Sequence, residues 1–344
     1  MTKKALITGI TGQDGAYLAK FLVEKGYKIF GTHRKTHPPN LWRLDELGIT
    51  DKVTLRELDL QSDRTCTKLL QEVKSEEVYN LAAQSYISVS FEQPVATGEI
   101  TGIGVARLLE AVRAVDPDIR FFQASSNEMF GLVQEVPQSE NTPFHPRSPY
   151  ATAKLYGHWM TVNYREVYNT FACAGILFNH ESPLRGLEFV TRKITFNAAK
   201  IKDGLQDKLL LGNLNARMDW GYAPEYVEAM WLMLNTPQAD DFVIATGKAY
   251  SVRQFVEVAF RVLDVEIVWE GQGVQERGID RKNGKVLVEI DPRFFRPADA
   301  NLLIGDPSKA QRELAWKART SLEELVEIMV KEDLRRIRSG SIEV

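Results

Sequence analysis

Thr8-Gly9-Ile10-Thr11-Gly12-Gln13-Asp14-Gly15 lies between the apolar run Ala5-Leu6-Ile7 and a stretch in which Ala16, Leu18, Ala19, Leu22 and Val23 recur at helical spacing. A short apolar run closed by a turn is the pattern of a strand buried on both faces of a parallel sheet. Lys25-Gly26 then supplies a helix stop, and Lys28-Ile29-Phe30-Gly31 a second strand. Strand, glycine turn, helix and strand within about thirty residues make one βαβ unit. In such a unit the glycines let the backbone approach a pyrophosphate, and the following helix N-terminus presents unpaired N–H groups and a positive dipole end. Gly9, Thr11, Gly12, Gln13, Asp14 and Gly15 therefore form a candidate dinucleotide cradle. A three-glycine string alone is a weak signal; its place after a buried strand and before a helix is what carries the reading.

The alternation continues downstream. Strands are predicted at 53–58, 77–81, 119–123 and 173–178, and helices at 65–74, at about 102–115 and from Tyr150. This pattern predicts an α/β, doubly wound parallel sheet of the Rossmann type. Beyond Asn179 it loosens into a smaller, mixed α/β lobe with a helical C-terminus at 322–338, although 241–245 reads as a strand returning to the sheet. The expected organisation is a dinucleotide-binding domain over 1–178, with a returning segment at about 218–247, and a mainly substrate-binding domain over 179–344. The glycines from Gly271 to Gly284 read as a hairpin or surface loop.

Bulk properties exclude several classes. The 344 residues carry 43 Lys plus Arg against 46 Asp plus Glu, a net charge of −3 with the signs interspersed, so neither nucleic acid nor an anionic membrane is an expected partner. Cys66 and Cys173 are the only cysteines and lack metal-ligand spacing, as in a reduced, cytoplasmic protein with no metal. No apolar run approaches membrane-spanning length.

Cofactor choice is read after the second strand, where an acidic residue suits a ribose hydroxyl and a basic one a 2′-phosphate. His33-Arg34-Lys35 stands there, which predicts NADP(H), with Arg34 and Lys35 on the phosphate. Asp59 and Leu60 are placed to cap the adenine. Leu81, Ala82, Ala83 and Gln84 put small side chains where the cofactor passes close to backbone.

The second informative stretch is Tyr150-Ala151-Thr152-Ala153-Lys154, preceded by Ser125-Ser126-Asn127-Glu128. An unperturbed tyrosine, pKa about 10, is no base at neutral pH unless a nearby cation favours its phenolate. Lys154 shares a helix face with Tyr150. Ser148-Pro149 reads as N-cap and first helical position, starting the helix at the site itself. Tyr-x-x-x-Lys alone is commonplace on helix surfaces; downstream of the cradle, and with Ser126 at a strand end, it reads as a redox site. Glu128 falls just beyond that strand's carboxyl end, where ligands bind in open α/β sheets. His145 and His158 read as packing or surface residues.

These stretches, with Asn179-His180-Glu181-Ser182-Pro183 and Phe189-Val190-Thr191-Arg192-Lys193-Ile194, resemble the extended short-chain dehydrogenase/reductases and, within them, the GDP-mannose 4,6-dehydratase family. The resemblance implies a redox-neutral dehydration. Tyr150 takes the proton of the sugar 4-hydroxyl as hydride passes from carbon 4 to NADP, Glu128 removes the proton on carbon 5, water leaves carbon 6, and hydride returns there to give GDP-4-keto-6-deoxymannose. Ser126 hydrogen-bonds the 4-oxygen. It also implies that Asn179, Lys193, Arg217 and Arg296 hold the GDP portion, that His180 and Arg185 lie near the cofactor, and that the chain forms a homodimer or homotetramer in which the segment from His33 to Arg43 reaches a neighbour's cofactor. Four positions depart from the family pattern: Ser126 for threonine, Asn127 for serine, Met218 for the arginine before Asp219-Trp220, and Asp299 for a ribose-binding glutamate. A dehydratase of another GDP-sugar, such as a GDP-manno-heptose, or a 4-keto-sugar reductase are the alternative readings; simple reduction would leave Glu128 without a task.

Overall fold

The structure, a computed structural model, describes residues 2–34, 39–295 and 302–341. Seven strands, β1 (Lys4–Thr8), β2 (Lys28–His33), β3 (Val53–Glu57), β4 (Glu77–Asn80), β5 (Arg120–Ser126), β6 (Ala172–Leu177) and β7 (Asp241–Ile244), form one sheet in the order 7-6-5-4-1-2-3. All neighbours in it run parallel. The order reverses at β1, and the carboxyl ends of β1 and β4 there open the crevice that doubly wound sheets use for ligands. The sequence reading of a Rossmann-type α/β fold is correct.

Each helix follows from its apolar stripe. Helix α1 (Gln13–Glu24) buries Ala16, Leu18, Ala19 and Leu22, and packs with the helix Ala223–Leu234, Phe21 meeting Trp231 edge-on at 5.9 Å. On the other face lie α2 (Asp63–Val73), α3 (Gly104–Val115) and α4 (Pro149–Tyr168). Their core joins Leu69, Leu70, Leu108, Leu109 and Val112 to Leu6, Val78 and Phe121 of the sheet. One local difference from the periodicity is that α3 is preceded by a π-helical segment, Gly98–Ile103, rather than starting as regular helix near Gly102. Such segments recur beside functional sites.

Two compact units divide the chain: the first holds the described residues of 1–178, 223–246 and 305–317, the second those of 179–222, 247–304 and 318–344. The second has its own core around Phe255, Val256, Phe260, Leu325, Val326 and Met329, contributed largely by α6 (Val252–Val262) and α7 (Leu322–Ser339), with α5 (Val190–Lys202) beside them. Its sheet is an antiparallel meander of Ile267–Glu270, Arg277–Asp280 and Val286–Ile290, with Leu209–Leu211 parallel to the last strand. Gly271 and Gly284 serve the two turns of that meander, both at positive φ (80° and 73°), so the glycine-rich stretch is a pair of hairpins.

Candidate active site

The cradle is built by backbone. Gly9 turns the chain out of β1 at φ 69°, and a Cβ there would sit 3.0 Å from the Cα of Ala82, so the β4 end could not approach. The Gly12 N–H donates to the Gly9 carbonyl at 3.0 Å, and Gly12 is the N-cap of α1, with no side-chain cap on that helix start. At Gly12 a Cβ would meet only the Gly9 carbonyl, at 3.3 Å, leaving that side open.

Three buried polar side chains hold the strand ends together. Thr8 Oγ1 accepts from the N–H groups of Leu81 and Ala82, both at 3.1 Å, and donates to Asn80 Oδ1 at 2.6 Å. Asn80 Nδ2 in turn donates to Gln123 Oε1 at 2.8 Å. Sequence reasoning assigned none of the three a role, although each is a polar residue at the carboxyl end of an otherwise apolar strand, a pattern that could have flagged them.

Above these ends is a cavity of about 410 Å³ lined by Gly9, Thr11, Gly12, Arg34, Asp59, Leu60, Leu81, Ala82 and Ala83, and also by Thr32, His33, Leu58, Gln61, Ser85 and Ile100. The second group had not been singled out as cofactor contacts; Thr32 and His33 end β2, and strand-end position would have found them. Gln13, Asp14 and Gly15 begin α1 just behind the cradle. Gln84 follows Ala83, its N–H donating to Thr101 Oγ1 at 3.0 Å, while its buried Oε1 has no partner among the described residues. Lys35 lies outside the described residues.

The reaction end is assembled by α4. Ser148 Oγ accepts from the Ala151 N–H at 3.1 Å and Pro149 takes the first turn, so the helix starts one residue before Tyr150. Tyr150 and Lys154 are both buried. The Lys154 ammonium donates to the Ala124 carbonyl of β5 at 2.6 Å and lies 5.8 Å from the centre of the Tyr150 ring. Burial pushes Lys154 down to about 8, Asp14 acting in the opposite direction.

Two residues beyond Ala124, Ser126 ends β5, and its Oγ accepts from the Glu128 N–H at 3.2 Å, capping a 3-10 turn (Asn127–Met129). Helix α4 packs against both β5 and this turn. Burial holds the Glu128 carboxyl above the usual carboxylate range. Asn127 is buried, and its Nδ2 has no partner among the described residues. His158, one face of α4 further on, shares a 3.1 Å hydrogen bond with Ser125 and stacks edge-on with Phe144, which makes it a packing residue; His145 is exposed.

In the second unit Asn179–Glu181 pairs in parallel with Trp220–Tyr222, and Arg185 stacks on Phe189 with its Cζ 3.5 Å from the ring centre. Lys193, on α5, lies with its Nζ 3.9 Å over Phe294, and burial lowers its pKa. Arg217 pairs through its backbone with Ser251 and donates to the Ala249 carbonyl at 2.8 Å. Met218 pairs with Tyr250, and Asp219 accepts from the Gly247 N–H at 3.0 Å. Arg296 and Asp299 lie outside the described residues.

Residues 6–329 match the family model described as GDP-mannose 4,6 dehydratase. The chain belongs to that family. A GDP-mannose 4,6-dehydratase of Vibrio cholerae is 51% identical over 352 residues, spanning 97% of this chain and 95% of the relative. One from Dictyostelium discoideum is 49% identical and covers 98% of each. Among solved structures, RMD from Pseudomonas aeruginosa, complexed with NADPH, has a TM-score of 0.78 at 21% identity, covering 97% of this chain and 100% of that one. A dTDP-glucose 4,6-dehydratase from Bacillus anthracis in complex with NAD has a TM-score of 0.80 at 19% identity, covering 99% and 98%. These two are likenesses of fold. The family is thus an enzyme family on a scaffold whose neighbours bind nicotinamide dinucleotides. Among the described residues no cluster of three or more His, Cys, Asp or Glu is placed to hold a metal, and no helix is long and apolar enough to cross a membrane.

Proposed function

We propose that the chain dehydrates GDP-mannose to GDP-4-keto-6-deoxymannose, with NADP bound in the first unit. What carries the reading is the packing of α4, which bears Tyr150 and Lys154, on β5, which ends at Ser126, and on the 3-10 turn that holds Glu128, with Lys154 bonded to the Ala124 carbonyl two residues before Ser126. The cradle fits a dinucleotide: a helix start without a side-chain cap, a cavity of about 410 Å³ and an open Gly12 are what a pyrophosphate and its ribose need. Exposed Arg34 at the cavity edge favours NADP over NAD.

Held by the cradle of Gly9, Thr11 and Gly12, the nicotinamide would supply reversible hydride transfer, so that the net change in the sugar is loss of water. The chain's own groups move the protons. Tyr150, its phenolate favoured by the Lys154 ammonium, accepts the proton of the 4-hydroxyl, and Ser126 Oγ orients that oxygen. The 4-ketone acidifies carbon 5, and Glu128 takes its proton. A carboxyl held above its usual range can also give that proton to the departing 6-hydroxyl, directly or through water, which the Asn127 amide cannot do. Asn179, Lys193, Arg217, Arg296 and Asp299 are proposed to hold the GDP portion, with His180 and Arg185 near the cofactor. A homodimer or homotetramer in the cytoplasm is part of the same reading.

Incubation with GDP-mannose tests it. A proton spectrum in which carbon 6 has become a methyl group, without net NADPH change, supports the proposal. Absence of that product, or stoichiometric NADPH oxidation, overturns it, and faster turnover of a GDP-manno-heptose would move the substrate assignment.

A further inference from the structure

Glu181, Thr191 and Arg192 belong to the most family-specific stretches of the sequence, yet the chemistry above gives them no task. In the second unit they are joined. Thr191 Oγ1 donates to Glu181 Oε2 at 2.6 Å, and Arg185 Nε lies 3.2 Å from the same oxygen. Arg192 is 5% exposed; its Nε donates to Asp333 Oδ1 at 2.7 Å, and its Nη1 to the carbonyls of Pro183 and Arg185 at 2.7 and 2.9 Å. The other oxygen of Asp333, a residue with no exposed surface, accepts from Thr195 Oγ1 at 2.7 Å. Arg336, next on the same face of α7, donates to the Pro183 carbonyl at 2.5 Å. A single loop carbonyl is therefore gripped by two buried guanidinium groups, one of them 153 positions away in sequence.

Burying two guanidiniums and a carboxylate is a poor way to gain stability, because desolvation offsets the Coulomb attraction. What such a cluster adds is direction: a planar guanidinium donating to two loop carbonyls two residues apart leaves that loop little freedom. The loop runs from His180 to Arg185, and Lys193 follows Arg192 on α5. We propose that Arg192, held by Asp333 and sharing the Pro183 carbonyl with Arg336, is a positioning residue for the GDP-sugar site, holding the Pro183–Arg185 backbone and with it the aim of Lys193 and of the neighbouring His180 and Arg185. This rests on the reading that Lys193 and its neighbours hold the GDP portion.

Full-length holoenzyme carrying Arg192→Lys, which keeps the charge but loses the forked grip, is the first variant; Thr195→Val, which removes one bond to Asp333, is the milder second. For both we expect KM for GDP-mannose to rise, roughly tenfold in Arg192→Lys and less in Thr195→Val, with kcat within about twofold of wild type. The double variant should be no worse than Arg192→Lys alone, since both act through one network. A lowered melting temperature with KM and kcat unchanged overturns the proposal, as does a fall in kcat at unchanged KM. Should wild type make no 4-keto product, the functional reading fails by itself. Calorimetric GDP binding then decides the positioning claim: weaker binding in Arg192→Lys supports it, and equal affinity overturns it.

Discussion

In the proposed mechanism Tyr150 and Lys154 act through one hydrogen atom and one charge. Removing only the phenolic oxygen in Tyr150→Phe leaves a buried ring of the same shape, so the fold should persist while kcat falls about 10²- to 10⁴-fold, read as initial rate of 4-keto product with circular dichroism as control. The ammonium of Lys154, pushed down to about 8 by burial, must be protonated to favour the phenolate. As pH rises through about 8 that charge is lost, so kcat/KM should fall on the alkaline side. Stability moves the other way. The folded chain sheds this proton before the unfolded chain does, the unfolded state binds more protons between about 8 and 10.5, and Lys154 therefore contributes a rise in stability with pH across that window. Denaturant midpoints of wild type and Lys154→Met over the same range check the sign: wild type should gain on the variant as pH rises from about 8 to 10.5, and the difference should be flat outside that window. Both residues are proposed from the sequence by their four-residue spacing together with the glycine cradle upstream and Ser126 at a strand end. Their neighbours could not be read there: the Ala124 carbonyl that fixes the ammonium is 30 positions away, and nothing in the composition of β5 marks it.

At the level of elements, the site depends on where α4 starts. Ser148 and Pro149 place the first turn under Tyr150, a capping pattern legible from the residue types alone because capping is local chemistry. Ser148→Ala should cost about 1 kcal/mol in urea unfolding, and by loosening the first turn it should lower kcat more than it raises KM. The π-helical Gly98–Ile103 was not legible, since a shift from 3.6 to wider spacing over six residues leaves the apolar pattern nearly unchanged. Nor was the Thr8–Asn80–Gln123 relay across three strand ends, which exists only once β1, β4 and β5 are neighbours in the sheet.

For the whole molecule, the two units hold separate cores, and the proposed cofactor cavity belongs entirely to the first. NADP at a hundred times its dissociation constant should therefore add about 2.7 kcal/mol to unfolding of that unit, measured as a shift in the melting transition; NAD at the same concentration should add less. The amino-acid order alone determined the strand–helix alternation, the glycine turn, the helix start at Pro149 beside Tyr150 and the family, because periodicity, caps and glycine act over a few residues and are written in them. Tertiary structure alone decided which carbonyl Lys154 grips, how strand ends are cross-linked, and that Asp333 of the C-terminal helix meets Arg192 across 141 positions. Those contacts form only when distant segments close on one another. Their energies depend on burial and direction, neither of which a linear pattern contains.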